Sequence, residues 1–406
     1  MNENLDRKTR GLVAARALRS VAQGALIVDF TLYLRALSWP AIWIGVLFVV
    51  GMTVNIVLTL TLGPLSDRLG RKRFLLAYEA VQIAAAVVAI ATSQPVWLGI
   101  AAVFGSYGRG ANGATGPFSP IEQSWLAAGL NSAAIAHAFR RNVAAGFFGM
   151  AAGSIIAAVP GMLRSGLPPI LAYRPIFMLA AFSALACFAL LSRIPDQRGV
   201  PPPASAPGQR RDERRRLAGL AGVNLLNGLG NSLVGPFLAY WFRLRFGVGP
   251  QLIGPVMSAG FVLAALSTLG TGRLIAVLGL VDSVVLMRLL GLGFMLALPF
   301  SPSFGCAAAL HILRSTLNRS TAGLRQALTV QLVSPERRGL AASLGTISSQ
   351  IPRALGPLLG GYLFGADFLA APFVAAALVQ AASLTLYRRL FRRLPFAGPD
   401  LPAVPN

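Results

Sequence analysis

Between Ala41 and Leu62 the chain runs for about 20 residues without a charge, the length a helix needs to cross a hydrocarbon layer roughly 30 Å thick. A short charged stretch follows, Gly63-Pro-Leu-Ser-Asp67-Arg68-Leu-Gly70-Arg71-Lys72-Arg73, and a second apolar run begins at Phe74. Such runs recur along the whole chain. Their spacing predicts spans at about 14–35, 41–62, 73–93, 96–125, 139–160 and 170–192, then at about 217–240, 250–271, 282–300, 302–333, 338–364 and 370–392. Hydrophobic residues make up 55% of the chain and charged residues only 12%, where a soluble domain carries about 25% charged residues. The expected fold is an all-α polytopic membrane protein of twelve transmembrane helices.

The formal charge of +23 would point to nucleic acid in a soluble protein, but its placement points to topology. With the N-terminus inside, inner segments hold 25 of the 36 basic residues, counting Arg16 and Arg19 with the N-terminal flank. Outer loops hold five, Arg35, Arg164, Arg174, Arg243 and Arg245. That asymmetry places both termini in the cytoplasm and leaves no call for a nucleic-acid partner. The tryptophans, Trp39, Trp43, Trp97, Trp125 and Trp241, fall at span ends, where an aromatic belt is expected. The polar stretch Met1–Arg10 shows no removable signal peptide. Cys187 and Cys306 sit inside apolar runs as small core residues, not as a disulfide or metal pair, and no cofactor is expected.

Residues 193–216, with Pro201-Pro202-Pro203 and the run Arg210–Arg216, are too polar to insert and read as a cytoplasmic linker. They divide the chain into an N-terminal six-helix bundle, 1–192, and a C-terminal one, 217–394, with a disordered tail at 395–406. The halves repeat: Gly63…Gly70 recurs as Gly272…Gly279, and Arg140-Arg141 recurs as Arg337-Arg338. In the second copy of the charged stretch, Ala276 stands where Asp67 would be.

The stretch Gly63–Arg73 resembles the G-x-x-x-D-R-x-G-R-[RK] loop between the second and third helices of major facilitator transporters. The resemblance implies two pseudo-symmetric six-helix bundles with a solute site near the midplane between them. It also implies a conformational latch made of Gly63, Asp67, Arg68, Gly70 and Arg71, with Glu122 at the inner end of span 4 pairing a loop arginine. Arg109-Gly-Ala-Asn112-Gly113 in span 4 resembles the family's R-x-x-Q-G pattern, with Asn for Gln. A charge at mid-depth costs at least about 2.5 kcal/mol unless paired or wet. Asp29 in span 1 is the nearest acid by depth, and the resemblance, in which spans 1 and 4 are neighbours, implies that Asp29 and Arg109 are a proton-coupling pair; a purely structural buried pair is the alternative.

Three polar faces complete the candidate site. His311, Arg314, Asn318, Thr321 and Arg325 follow steps of 3 and 4 along span 10 and share one face. Asn224, Asn227 and Asn231 do the same in span 7, and Ser343, Thr346, Gln350 and Arg353 in span 11. Together with Asn112, the three asparagines, His311, Arg314, Asn318, Gln350 and Arg353 are the candidate solute-binding residues; interhelical hydrogen bonding is the alternative use of the asparagines. Arg319 lies off the stripe, and Glu79 is placed near the inner surface, paired at most with loop arginines. Gly149-x-x-x-Gly153 in span 5 and Gly356…Gly360-Gly361 in span 11 permit close helix packing. No Walker motif, metal-ligand cluster or nucleophile–base set appears, so an enzyme is not expected.

The chain is accordingly expected to be a monomeric secondary transporter of the bacterial cytoplasmic membrane, moving a small organic solute by alternating access. Proton-coupled export of drug-like or metabolite molecules is the first reading. An organic-anion carrier using the intramembrane arginines is the second, and a transporter-like receptor is a remote third.

Overall fold

The structure is a computed structural model and describes residues 3–108, 116–127, 132–163, 166–194, 210–331, 348, 352 and 355–391. Among the described residues all regular structure is helical. The first half comprises α1 (Glu3–Ala36), α2 (Ala41–Leu69), α3 (Arg71–Ala91), α4 (Pro95–Gly105), α5 (Ser119–Ala127), α6 (Ser132–Ile156), α7 (Val159–Leu163) and α8 (Pro169–Ser192). The second comprises α9 (Arg210–Val234), α10 (Leu238–Phe246), α11 (Pro250–Leu278), α12 (Leu280–Ala297), α13 (Phe304–Gln331), α14 (Leu355–Gly365) and α15 (Ala371–Phe391). Among the described residues seven stretches are long and apolar enough to cross a membrane, and α4 and α14 are shorter apolar helices.

The charged stretch after Leu62 is not a broad turn. Helix α2 continues through it to Leu69, and the chain reverses at Gly70 alone, with φ 98°. Its repeat does the same: α11 runs to Leu278, and Gly279, φ 77°, starts α12. Glycine enters this region of positive φ without a Cβ penalty, which accounts for its presence in both copies even though the acid is lost from one.

Span 4, expected as continuous over 96–125, is broken. Ser106 (φ 58°) and Gly108 (φ 72°) turn left-handed, and the Tyr107 N–H reaches back to the Ala102 carbonyl at 3.2 Å, the bonding that closes a helix C-terminus. The chain resumes in a 3₁₀ turn at Gly116–Phe118 and then in α5. Span 5 starts earlier than expected, at Ser132. Helix α9 starts inside the expected linker, at Arg210, and residues 195–209 lie outside the described ones.

Glycines set the helix spacing within the first half. A Cβ at Gly149 or Gly153 of α6 would run into the Ala17 or Val21 carbonyl of α1, so these two backbones touch. The apolar core then shows how the halves meet. At the end of the bundle away from the chain termini it is continuous, joining Phe30, Tyr33, Phe48 and Phe177 to Phe237, Trp241, Phe364 and Phe373. Towards the end carrying the N-terminus the described core residues fall into two clusters. Leu12, Leu75, Trp125 and Leu191 form one cluster in the first half, and Leu220, Val284, Tyr387 and Phe391 another in the second. The joined end is sealed by the Phe48–Phe237 edge contact, ring centroids 6.0 Å apart. Glycines Gly45, Gly254 and Gly361 lie there against the backbone of the opposite half, at Pro357, Ser154 and Ala41.

The aromatic-belt expectation holds in position for only part of the set. Trp43 and Trp97 are more than half exposed, but Trp125 and Trp241 are fully buried. Trp241 instead packs edge-on against Phe373, centroids 4.8 Å apart.

Candidate functional site

Helix α13 puts His311, Arg314, Asn318 and Thr321 on one face, as their spacing predicts, and all but the half-buried Asn318 are buried. Arg314 is 7% exposed, and its Nε meets no partner among the described residues. His311 leaves Nδ1 unpartnered and sets its ring edge-on to Phe242, 6.1 Å between centroids. Arg319 supplies what the sequence left unexplained. Its Nε donates to the Ser315 Oγ at 2.9 Å, and its guanidinium lies 4.3 Å from the Phe261 ring centre and 5.8 Å from that of Phe147. Phe147 is on α6 and Phe261 on α11, so this cation bridges rings from both halves. His311, Arg314 and Arg319 lie within electrostatic reach of one another.

The acids of this half whose side chains are described, Asp282 and Asp367, sit at the first turn of α12 and in the turn after α14, and neither pairs with these groups among the described residues. The asparagines of α9 are differently employed. Asn231 Nδ2 donates to Asn227 Oδ1 at 2.9 Å, and Arg288 of α12 donates to the same oxygen. Asn224 is half-buried. Gln350, Arg353, Ser343 and Thr346 lie outside the described residues, as does the side chain of Arg325.

In the first half Asp29 is 1% exposed, and neither carboxylate oxygen finds a hydrogen-bond partner among the described residues. Arg109 and Asn112 lie outside the described residues, as do the surroundings of Gly63 and the side chains of Asp67 and Arg68. Arg71 is half-buried at the start of α3. Its neighbour Lys72 donates to the Ser192 and Ile194 carbonyls at 2.7 Å each, holding the end of α8.

Two acids and two arginines fall where the sequence reading did not place them. Glu122, expected beside a loop arginine, accepts from Arg19 Nη1 at 3.1 Å. Glu79, expected near the inner surface, is fully buried and accepts from Arg19 Nε at 2.6 Å. Arg19 and Arg16, counted with the solvated flank, are 4% and 8% exposed within α1. The available signal was their three-residue step, which puts both on the helix face shared with Leu12 and Ala15.

Two helical halves share a core at one end, a buried cation lies between rings of both, and seven described stretches are long and apolar enough to cross a membrane. Residues 220–405 match the family model of the Major Facilitator Superfamily. That match covers less than half of the chain, and over its full length the likeness is one of fold. No curated protein matches the chain in sequence. Among solved structures it resembles a bacterial homolog of the human lysosomal transporter Spinster in an inward-facing, unoccupied conformation, with 15% identity over 97% of this chain and 98% of that one and a TM-score of 0.68. It also resembles the nucleoside transporter NupG (13%, 98% and 100%, TM-score 0.66). A third is the human organic anion transporter MFSD10, also called TETRAN (17%, 95% and 100%, TM-score 0.64). At such identities the likeness establishes the fold.

Proposed function

We propose that this chain is a secondary transporter of small organic anions, which bind where α13 meets the junction of the halves. The observation that carries the reading is Arg314: a buried guanidinium with an unpartnered Nε, near two further basic groups and paired with no described acid. Truncating a partner from a buried ion pair typically costs about 3–5 kcal/mol, which sets the scale of what an incoming anion recovers. A carboxylate is a good complement, because the planar guanidinium donates two parallel hydrogen bonds to it. Phe261 and Phe147 beside Arg319 favour an anion with an apolar or aromatic body. The fold it shares with an organic anion transporter supports the reading without assigning the solute.

With the termini cytoplasmic, as the arginine distribution favours, the sealed end faces outward and the split end faces the cytoplasm. The described state is then inward-facing, in a bacterial cytoplasmic membrane, and the chain works as a monomer. Alternating access consists of parting the glycine contacts and the Phe48–Phe237 seal while the split end closes. The junction at Gly63–Arg71 latches that exchange.

Proton-coupled export of drug-like molecules is a second reading, favoured by Asp29, a buried carboxylate with no described partner. The experiment is current measurement on reconstituted vesicles adsorbed to a solid-supported membrane, with jumps of benzoate, benzamide and benzylammonium. The anion reading requires currents for benzoate that vanish in Arg314→Gln. Currents for benzylammonium alone would replace it with cation export.

A further inference from the structure

The buried charge cluster of the first half is used by neither reading above. Arg19 of α1 holds Glu79 of α3 at 2.6 Å and Glu122 of α5 at 3.1 Å, tying together three helices. Among the described residues each carboxylate keeps one oxygen unpartnered, Glu79 Oε2 and Glu122 Oε1, and Arg16 keeps its Nε so. With all four groups ionised the cluster is neutral, two cations against two anions.

The two acids are not equivalent. Glu122 lies in the fields of two cations, Arg16 and Arg19. Glu79 meets one cation, Arg19, and the like charge of Glu122. Glu79 also borders a cavity of about 30 Å³, lined by Arg19, Gln23, Gln82, Ser106 and Ser183, while Glu122 does not. A cavity of that size with these polar groups on its wall, beside Ala22, Leu26, Ala180 and Ala184, holds a water molecule, which needs only about 10–15 Å³. The other titratable groups facing the cluster are Tyr78 on α3, Tyr107 after α4, and Cys187 on α8, whose Sγ donates to the Ala15 carbonyl at 3.3 Å. None of them is an acid that would take the proton first at neutral pH.

We propose that Glu79 is a proton-binding site of this chain, reached through the Gln23–Gln82 cavity and wired by Arg19 to Glu122. A water in the cavity delivers the proton to Glu79 Oε2, and deprotonation returns it by the same path. Protonation changes the cluster from neutral to a net single positive charge. It weakens the Arg19 bridge between α1 and α3 and leaves the bridge between α1 and α5 intact, so the proton alters how α3 is held against α1. The proposal does not rest on the identity of the solute or on Asp29.

The test is infrared difference spectroscopy of the full-length protein in phosphatidylcholine vesicles, titrated between about pH 5 and pH 9, a window around the range in which buried glutamates exchange protons. Wild type should show a protonated-carboxyl C=O band that titrates. Glu79→Gln should remove a component that Asp29→Asn keeps and that Glu122→Gln keeps with a displaced midpoint. If Glu79→Gln does not fold, Glu79→Asp should displace the midpoint of that component while Asp29→Glu leaves it in place. A full band in Glu79→Gln, an unmoved midpoint in Glu79→Asp, or a wild type without any titrating carboxyl band would each overturn the proposal.

Discussion

Adding one methyl group at Gly45 should unseat the sealed end of the molecule. A Cβ built there lies 2.5 Å from the Pro357 carbonyl oxygen of the opposite half, where ordinary contacts start at 3.4 Å. The halves must therefore separate by about 0.9 Å at this crossing, or the backbone must distort. Overpacking of this kind typically costs about 1–3 kcal/mol. It acts only on the state in which these backbones touch, so the ratio of open to closed at this end should rise about 5- to 150-fold. Alanine is also a better helix former than glycine by about 1 kcal/mol, but that gain applies to both states and cancels. Gly45→Ala should thus shift conformation without lowering thermal stability. The assay is double electron–electron resonance between spin labels at Val96→Cys and Phe300→Cys, both highly exposed and on opposite halves, with Cys306 replaced by Ser. A longer-distance population should grow in Gly45→Ala. An unchanged distance distribution would refute the argument that this contact closes the outward end.

Gly153→Val acts inside one half, on the α1–α6 contact, and should lower the melting temperature of the purified protein without changing the same distance distribution. Asp29→Asn removes a buried carboxylate that has no described partner; we expect the melting temperature to rise while any proton-driven component of transport falls, as measured by uptake with and without a pH gradient. Asp67→Asn should leave membrane abundance unchanged and slow initial uptake, because the latch assigned to the α2–α3 junction needs the acid. Wild-type uptake in that variant would remove the latch.

Much of the architecture is legible in the chain because lipid imposes it. Uncharged runs mark spans, the repeated Gly70 and Gly279 mark the two one-residue reversals, and the step of 3 and 4 along α13 puts His311 and Arg314 on the same buried face. What hydropathy cannot see is how charge is consumed. Arg16 and Arg19 look like flank residues obeying the positive-inside rule, because their use depends on Glu79 and Glu122, 60 and 103 residues beyond Arg19. Asn227 looks like a solute ligand until Arg288, 61 residues on, is placed against it. The break at Ser106–Gly108 is hidden for a related reason. A left-handed residue ends a helix through backbone geometry, which an apolar run does not record. Arg319 likewise acquires a role only when α6 and α11 bring Phe147 and Phe261 together.

Isothermal titration calorimetry with one apolar body in three charge states bears most directly on the proposed function. Benzoate, benzamide and benzylammonium differ little in size, so differences among them report charge at the site. Arg314, whose Nε has no partner among the described residues, predicts that wild type prefers benzoate. A charge-assisted hydrogen bond contributes about 1.5–3 kcal/mol, so Arg314→Gln should weaken benzoate at least about tenfold while leaving benzamide within about twofold of wild type. Equal losses for benzoate and benzamide, or a wild type that prefers benzylammonium, would contradict the anion-binding account.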